Sequence, residues 1–165
     1  MPSVFSEFTS RVTALLASVV CMTSAVGSAD ASADDEGAIT VVISNYEAAL
    51  NARSADQAVA LYTDDAVMMP PYNQSVVGKA QVRKVYEAGS KTRALNLKFT
   101  VDEIVQMSPE WAFVLTKSSG SSKVISTGAT NAEANQELFI LHKSDDGAWK
   151  IARYSFSNTN PPPHS

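Results

Sequence analysis

Residues 137–156, ELFILHKSDDGAWKIARYSF, place two apolar runs on either side of Ser144-Asp145-Asp146-Gly147. Asp-Gly between such runs is a strong hairpin signal, because the tight turn needs left-handed backbone that these two residues tolerate. The runs 137–143 and 149–157 therefore read as antiparallel strands. Side chains alternate between the faces of a strand. Glu137, Phe139 and Leu141 must then share one face, as must Tyr154 and Phe156 on the last strand.

Upstream, Leu95, Leu97, Phe99 and Val101 alternate with Asn96, Lys98, Thr100 and Asp102. This period of two marks a half-buried strand running to about residue 107. Ser108-Pro109-Glu110 is a turn, and 111–117 is the returning strand. Trp111, Phe113, Leu115 and Lys117 share one of its faces, and Ala112, Val114 and Thr116 share the other. Residues 118–132, rich in Ser, Gly and Thr, read as a mobile connection.

The first half follows a different period. Ile39, Val42, Ile43, Tyr46, Ala49 and Leu50 fall at helical spacing, and Asp34, Asp35 and Glu36 lie where a helix N-terminus favours negative charge. Ser54-Ala55-Asp56-Gln57 is a capping-box pattern that starts a second, short helix. That helix is expected to carry Ala58, Val59, Leu61 and Tyr62 as far as Asp64-Asp65. Residues 66–69 form a short strand stopped by Pro70-Pro71. Gly78 precedes a third helix from Lys79 to about residue 90, with Val82, Val85 and Tyr86 on one face. Helices first and long strands after give an α+β domain, with the helices on one face of a curved, mainly antiparallel sheet that encloses a pocket.

The N-terminus reads differently. Residues 12–29, VTALLASVVCMTSAVGSA, carry no charge, follow Arg11 and end in small residues. That is the order of a secretory signal with a small-x-small cleavage site. A membrane anchor is the competing reading, but the run is short for a span and rich in Ala, Ser and Thr. The lone Cys21 follows Val20, not a small residue, which argues against lipid attachment. The expected organisation is a signal peptide over 1–29, an acidic lead-in over 30–37, the domain over 38–158 and a Pro-rich tail over 159–165. The mature protein is then secreted or periplasmic, without stable membrane insertion and without cysteine. It can hold no disulfide and no thiol nucleophile.

Composition narrows the function. The net charge is −4 and no basic face is visible, which argues against nucleic acid. His142 and His164 are scattered and Asp64-Asp65 has no histidine near it, so no metal site is expected. No Gly-rich phosphate loop or Gly-x-Ser-x-Gly occurs. No cofactor is implied.

The order of motifs is similar to that of nuclear transport factor 2-like proteins. Those motifs are Tyr46-Glu47-Ala48-Ala49-Leu50, Leu61-Tyr62-Thr63-Asp64-Asp65-Ala66-Val67, Pro70, Gly78 and the closing 137–156 segment. The last of these resembles the SnoaL-like and ketosteroid-isomerase-like branch, a group with many activities on one cone-shaped fold. In ketosteroid isomerases a tyrosine and a protonated acid hold an oxyanion while an aspartate moves the proton, a case often used to teach this chemistry. The resemblance places the tyrosine on Tyr46 and the acid on Glu137. It places the base on Met69, which cannot move a proton, so ketosteroid isomerisation is not expected.

The resemblance also turns Glu137, Tyr154 and Phe156 inward. The expected site is an apolar small-molecule pocket. Its catalytic pair would be Tyr46 and Glu137, and its ligand contacts Tyr62, Met69, Trp111, Phe113, Leu115, Lys117, Phe139, Tyr154 and Phe156. Two readings of Glu137 stand side by side: a ligand contact of raised pKa, or a structural salt bridge to Lys117 or Arg153. Tyr46 can likewise be a core tyrosine with a satisfied hydroxyl. Two functions follow: a binding domain for an apolar, oxygenated small molecule, or an isomerase, cyclase or hydratase using Tyr46 and Glu137 to polarise an oxygen. The resemblance further implies a homodimer through the outer sheet face, expected to present Ala112, Val114, Thr116, Leu138 and Ile140. For export, N-terminal sequencing of protein from its own host is expected to give a first residue between Asp30 and Ser32; a retained Met1 in a soluble cytoplasmic fraction would rule it out.

Overall fold

The computed structural model describes residues 27–160, with side chains from residue 33. Most of the leader expected over 1–29, Cys21 included, and the tail beyond residue 160 lie outside the described residues. Helix α1 (Gly27–Asn51) is followed by α2 (Ala55–Ala60), β1 (Tyr62–Met69), β2 (Val76–Val77) and α3 (Lys79–Thr92). Four longer strands follow: β3 (Arg93–Ser108), β4 (Trp111–Val124), β5 (Thr130–Lys143) and β6 (Trp149–Asn158). They form one sheet of order β2-β1-β6-β5-β4-β3, antiparallel except for the β1–β6 pair. The three helices lie on its concave face, giving the expected α+β cone. No helix among the described residues is long and apolar enough to cross a membrane.

Local signals explain most boundaries. Ser54 caps α2, its hydroxyl accepting from the Gln57 amide at 3.2 Å. The Asp-Gly turn between β5 and β6 closes through Ser144 N–H donating to Ala148 O, with Gly147 at φ 82°. Pro70 ends β1, as its sequence implies. Three boundaries differ from expectation. The second helix ends at Ala60, and Tyr62, Asp64 and Asp65 belong to β1, where pairing of Tyr62 with Ile151 of β6 outweighs local helical spacing. The acidic lead-in over 30–37 is helical and continuous with α1.

The third difference concerns 118–132, which is mostly sheet. β4 runs on to Val124 and pairs with β3 and β5 along this length. Backbone ladders hold the segment where side chains supply little packing. Its inward residues, Ser118 and Ser122, are buried and small, so the sheet curls there without filling the cone. Gly120 sits in the same stretch at φ 151°, and a Cβ on it would lie 2.0 Å from the Asn96 carbonyl oxygen of β3. Glycine lets the two strands approach at this bend.

Helix α1 is fastened to the sheet by polar side chains at two places along its length. Asp35 accepts from Lys143 Nζ at 2.6 Å, Trp149 Nε1 at 3.0 Å and Gln106 Nε2 at 3.0 Å, tying the helix to β5, β6 and β3. Lys143 and its hydrogen bond hold the Asp35 carboxyl below the usual range. At the C-terminal end, Asn51 exchanges two hydrogen bonds of 2.8 Å with the Leu97 backbone. Glu47 accepts from Phe99 N–H at 2.7 Å and from Lys98 at 3.0 Å. β3 is an edge strand, so these contacts satisfy backbone groups that no neighbouring strand reaches.

The cross-strand register fixes which side chains enter the cone. Val114 faces Phe139, which faces Tyr154; Thr116 faces Glu137, which faces Phe156. Directly paired residues share a face. Ala112, Val114, Thr116 and Ser118 are thus inward, and Trp111, Phe113, Leu115 and Lys117 lie on the outer face, the reverse of the expectation for β4. Leu138 and Ile140 are outward as expected. The outer face accordingly presents Phe113, Leu115, Leu138 and Ile140, with Leu115 and Leu138 over a third exposed. A pairing of two copies through the sheet would bury these residues and not Ala112, Val114 or Thr116. Gly120→Ala is expected to cost about 2 kcal/mol or more, because backbone must move to admit the methyl; chemical denaturation measures it, and an unchanged midpoint would contradict the close β3–β4 approach.

Candidate functional site

The hollow left between α1, α2, α3 and the concave sheet is a cavity of about 240 Å³. Apolar walls come from Leu50 and Ala58, from Val85 of α3, and from Leu95, Leu97 and Phe99 of β3. Met68 and Pro70 add to them, because β1 pairs Met68 with inward Tyr154. Met69 pairs with Ser155, is 38% exposed and turns away from the cavity. The expected contact through Met69 is therefore replaced by Met68. At the mouth, Arg93 lies 3.8 Å from Glu133, which accepts from Ser122 Oγ at 2.5 Å. Arg53 donates to the Ser90 carbonyl through Nε at 3.0 Å, across the C-terminal turn of α3.

One set of interior polar groups is made of tyrosines. Tyr46 lies edge-on to Phe99, Phe139, Tyr86 and Tyr154 at ring separations of 5.3–6.3 Å. Its hydroxyl is 2.9 Å from that of Tyr86, which is 2.7 Å from that of Tyr62. Three hydroxyls joined by two hydrogen bonds have one proton left over. Tyr62 is 1% exposed and does not line the cavity, so its proton belongs to the chain. The Tyr154 hydroxyl also bears on that of Tyr46, so the spare donor is Tyr46, Tyr86 or Tyr154, and all three line the cavity. Tyr86 was legible only as part of an apolar helix face; its hydroxyl meets partners 24 and 40 residues away, which no local pattern reveals.

Glu137 is buried and lines the same cavity. Neither expected cation reaches it. Lys117 pairs with Asp102 at 3.0 Å on the other face, and Arg153 with Asp65 at 3.5 Å. Its carboxyl accepts instead from Thr116 Oγ1 at 2.6 Å and Ser118 Oγ at 2.5 Å. Burial raises its pKa above the usual carboxylate range, although the two hydroxyls oppose the rise.

Of the residues singled out in the sequence, Tyr46, Glu137, Tyr154 and Phe156 meet at the cavity. Tyr62 and Phe139 back it from the core. Trp111, Phe113, Leu115 and Lys117 do not reach it; Trp111 packs against His142 on the far side, ring centroids 4.3 Å apart. Among the described residues, no group of three or more His, Cys, Asp or Glu is placed to hold a metal ion.

Burial pushes the Tyr46 phenol up to about 12 and raises Tyr62, Tyr86 and Tyr154 well above the ordinary value. A raised folded-state value stabilises the fold fully below the unfolded value near 10, and the contribution is lost as pH rises towards 12. The expected result is a stability loss that begins near pH 10, with no more than one of the five tyrosines ionising before the fold opens. Tyrosinate absorbance recorded with near-ultraviolet circular dichroism checks it; early ionisation of several tyrosines in folded protein would contradict the buried chain.

The comparisons with known proteins agree with this architecture. The family model described as SnoaL-like domain matches residues 43–154. A ketosteroid isomerase-like protein from Erwinia carotovora atroseptica SCRI1043 is 35% identical, with a TM-score of 0.73 over 76% of this chain and 96% of that one. A conserved protein from Planctomyces limnophilus DSM 3776 is 24% identical, with a TM-score of 0.69 over 76% and 98%. The hexachlorocyclohexane dehydrochlorinase LinA-type3 from Novosphingobium barchaimii LL02 shares the fold at 12% identity, with a TM-score of 0.73 over 84% and 95%. No curated protein sequence matches significantly. From its aromatic cone to its matched segment, this chain belongs to the SnoaL-like domain family, on the ketosteroid-isomerase-like branch of the nuclear transport factor 2-like fold.

Proposed function

We propose that this protein binds a small, apolar, oxygen-bearing molecule in the cone, with the ligand oxygen accepting from the Tyr46–Tyr86 hydroxyl pair. The observation that carries the reading is the spare proton of the tyrosine chain, delivered into a cavity whose walls are otherwise largely apolar. A buried donor without a partner is costly, so an oxygen acceptor in the cavity is favoured over an apolar molecule of the same shape. The volume, below the usual range for drug-sized sites, suits a molecule of one or two rings.

A second reading is catalytic, because Tyr46 and Glu137 both line the cavity and can act on one oxygen. The isomerase-like description of the relative from Erwinia carotovora atroseptica fits it. Against ketosteroid isomerisation stands the position before Pro70: Met69 has no titratable group, and its side chain turns away from the cavity. Binding is therefore the primary reading, with isomerase, cyclase or hydratase chemistry as the alternative.

Tyr46→Phe keeps the ring and its edge-on contacts while removing one hydroxyl. It is expected to weaken binding of 2-acetonaphthone, a ketone of suitable size, by about tenfold, the loss of one hydrogen bond in a dry site. Tyr86→Phe should do the same, since it breaks the chain at its centre. Isothermal titration calorimetry measures both; wild-type protein that does not prefer the ketone over 2-ethylnaphthalene would overturn the reading.

A further inference from the structure

The resemblance to ketosteroid isomerases casts Glu137 as a protonated acid that donates to a ligand oxygen, and its hydrogen bonds point the other way. Asn135 Nδ2 donates to Ser118 Oγ at 3.3 Å. The Ser118 hydroxyl passes its own proton on to Glu137 Oε1 at 2.5 Å, and Thr116 Oγ1 donates to Oε2 at 2.6 Å. Thr116, Ser118 and Glu137 are each buried to within a few per cent of complete. Both carboxyl oxygens thus receive protons from buried hydroxyls. Such an arrangement favours the carboxylate over the acid.

We propose that Glu137 serves the cavity as a hydrogen-bond and proton acceptor, held ionised by Thr116 and Ser118, so that the preferred ligands are hydroxyl compounds, phenols or enols, donating to it. This deepens the reading of the cavity as an oxygen-binding site and rests on it. One ligand hydroxyl then satisfies both polar walls: its oxygen accepts from the tyrosine chain and its proton faces Glu137. Thr116, Ser118 and, through Ser118, Asn135 are positioning residues, since their contact with the carboxyl fixes what it can accept.

The other groups that bear on Glu137 are Asp102 on β3, Tyr46 on α1 and Tyr154 on β6, each coupled to it through charge. Tyr86 on α3 and Glu133 at the mouth line the same cavity. Asp102 is paired with Lys117, and the tyrosines stay neutral through the range where a carboxyl titrates. Acidification should therefore act on ligand choice chiefly through Glu137. Because burial lifts its titration above the ordinary range, the preference for a hydroxyl should fade as pH falls, before ordinary carboxylates are protonated.

Two measurements test this. Infrared difference spectra between wild type and Glu137→Gln at neutral pH, with no ligand present, should show a carboxylate band. A protonated carbonyl band in its place overturns the proposal. Ser118→Ala and Thr116→Val should each raise the pH at which that band converts, while Thr116→Ser should restore the wild-type value; a change in stability with no change in this titration also overturns it.

The ligand measurement compares 2-naphthol with its methyl ether, 2-methoxynaphthalene. Wild type should favour the naphthol by about tenfold more than Glu137→Gln does, the effect of one hydrogen bond to a charged group. An equal preference in the two proteins removes the inference and leaves the oxygen-binding reading intact. Failure of both probes to bind counts against that reading instead, and the infrared result still decides the state of Glu137.

Discussion

A strongly curved sheet has a hollow face and an open edge, and in this protein one helix closes both. Helix α1 lies across the concave side, burying Ile39, Ile43, Tyr46 and Ala49. Its polar side chains do what a further strand would otherwise do. Asn51 and Glu47 hydrogen-bond to the outer edge of β3 at Leu97 and Phe99, and Asp35 gathers Gln106, Lys143 and Trp149 in the N-terminal half of the helix. With the helix fixed at two separated places, the space between it and the sheet cannot collapse onto apolar side chains. That residual space is the cavity. The small inward residue Ser118 on β4 enlarges it where a larger one would have filled it.

The chemistry of the cavity follows from how few polar groups enter it and how each is satisfied. The tyrosine chain Tyr62–Tyr86–Tyr46 draws on β1, α3 and α1, and two hydrogen bonds leave it one donor in excess. The Glu137 cluster draws on β4 and β5 alone, and its two hydroxyl donors leave it with acceptor capacity. The tyrosine chain and the Glu137 cluster thus meet in one largely apolar enclosure. The aromatic stack Phe139–Tyr154–Phe156, with centroids 4.5 and 5.3 Å apart, supports that wall from the sheet.

Family membership fixes the scaffold and leaves the reaction open. The position that precedes Pro70 illustrates why. Met68 and Met69 are chemically alike, yet only Met68 enters the cavity, because its cross-strand partner Tyr154 faces inward.

The sequence by itself determined most of the elements, their order and the fold class. Those signals are local: the Asp-Gly turn, the Ser54 cap, Pro70, the helical spacing of 39–50 and the alternation of 95–101 each reflect backbone preferences within a few residues. Alternation also grouped side chains correctly, so that Glu137, Phe139 and Leu141 were known to travel together. It could not say which group of β4 faces inward, because Trp111, Phe113 and Leu115 are as apolar as Ala112 and Val114. That choice belongs to the register with β5, a backbone ladder spanning 13 residue pairs, and to the room inside the cone, which admits the smaller set. The Ser-rich stretch 118–132 carried no local signal for strand, since its order comes from neighbours on both sides. Tyr86 and the hydroxyl partners of Glu137 were hidden for the same reason. A hydrogen bond between residues tens of positions apart exists only after the chain has folded, and only the tertiary structure could decide it.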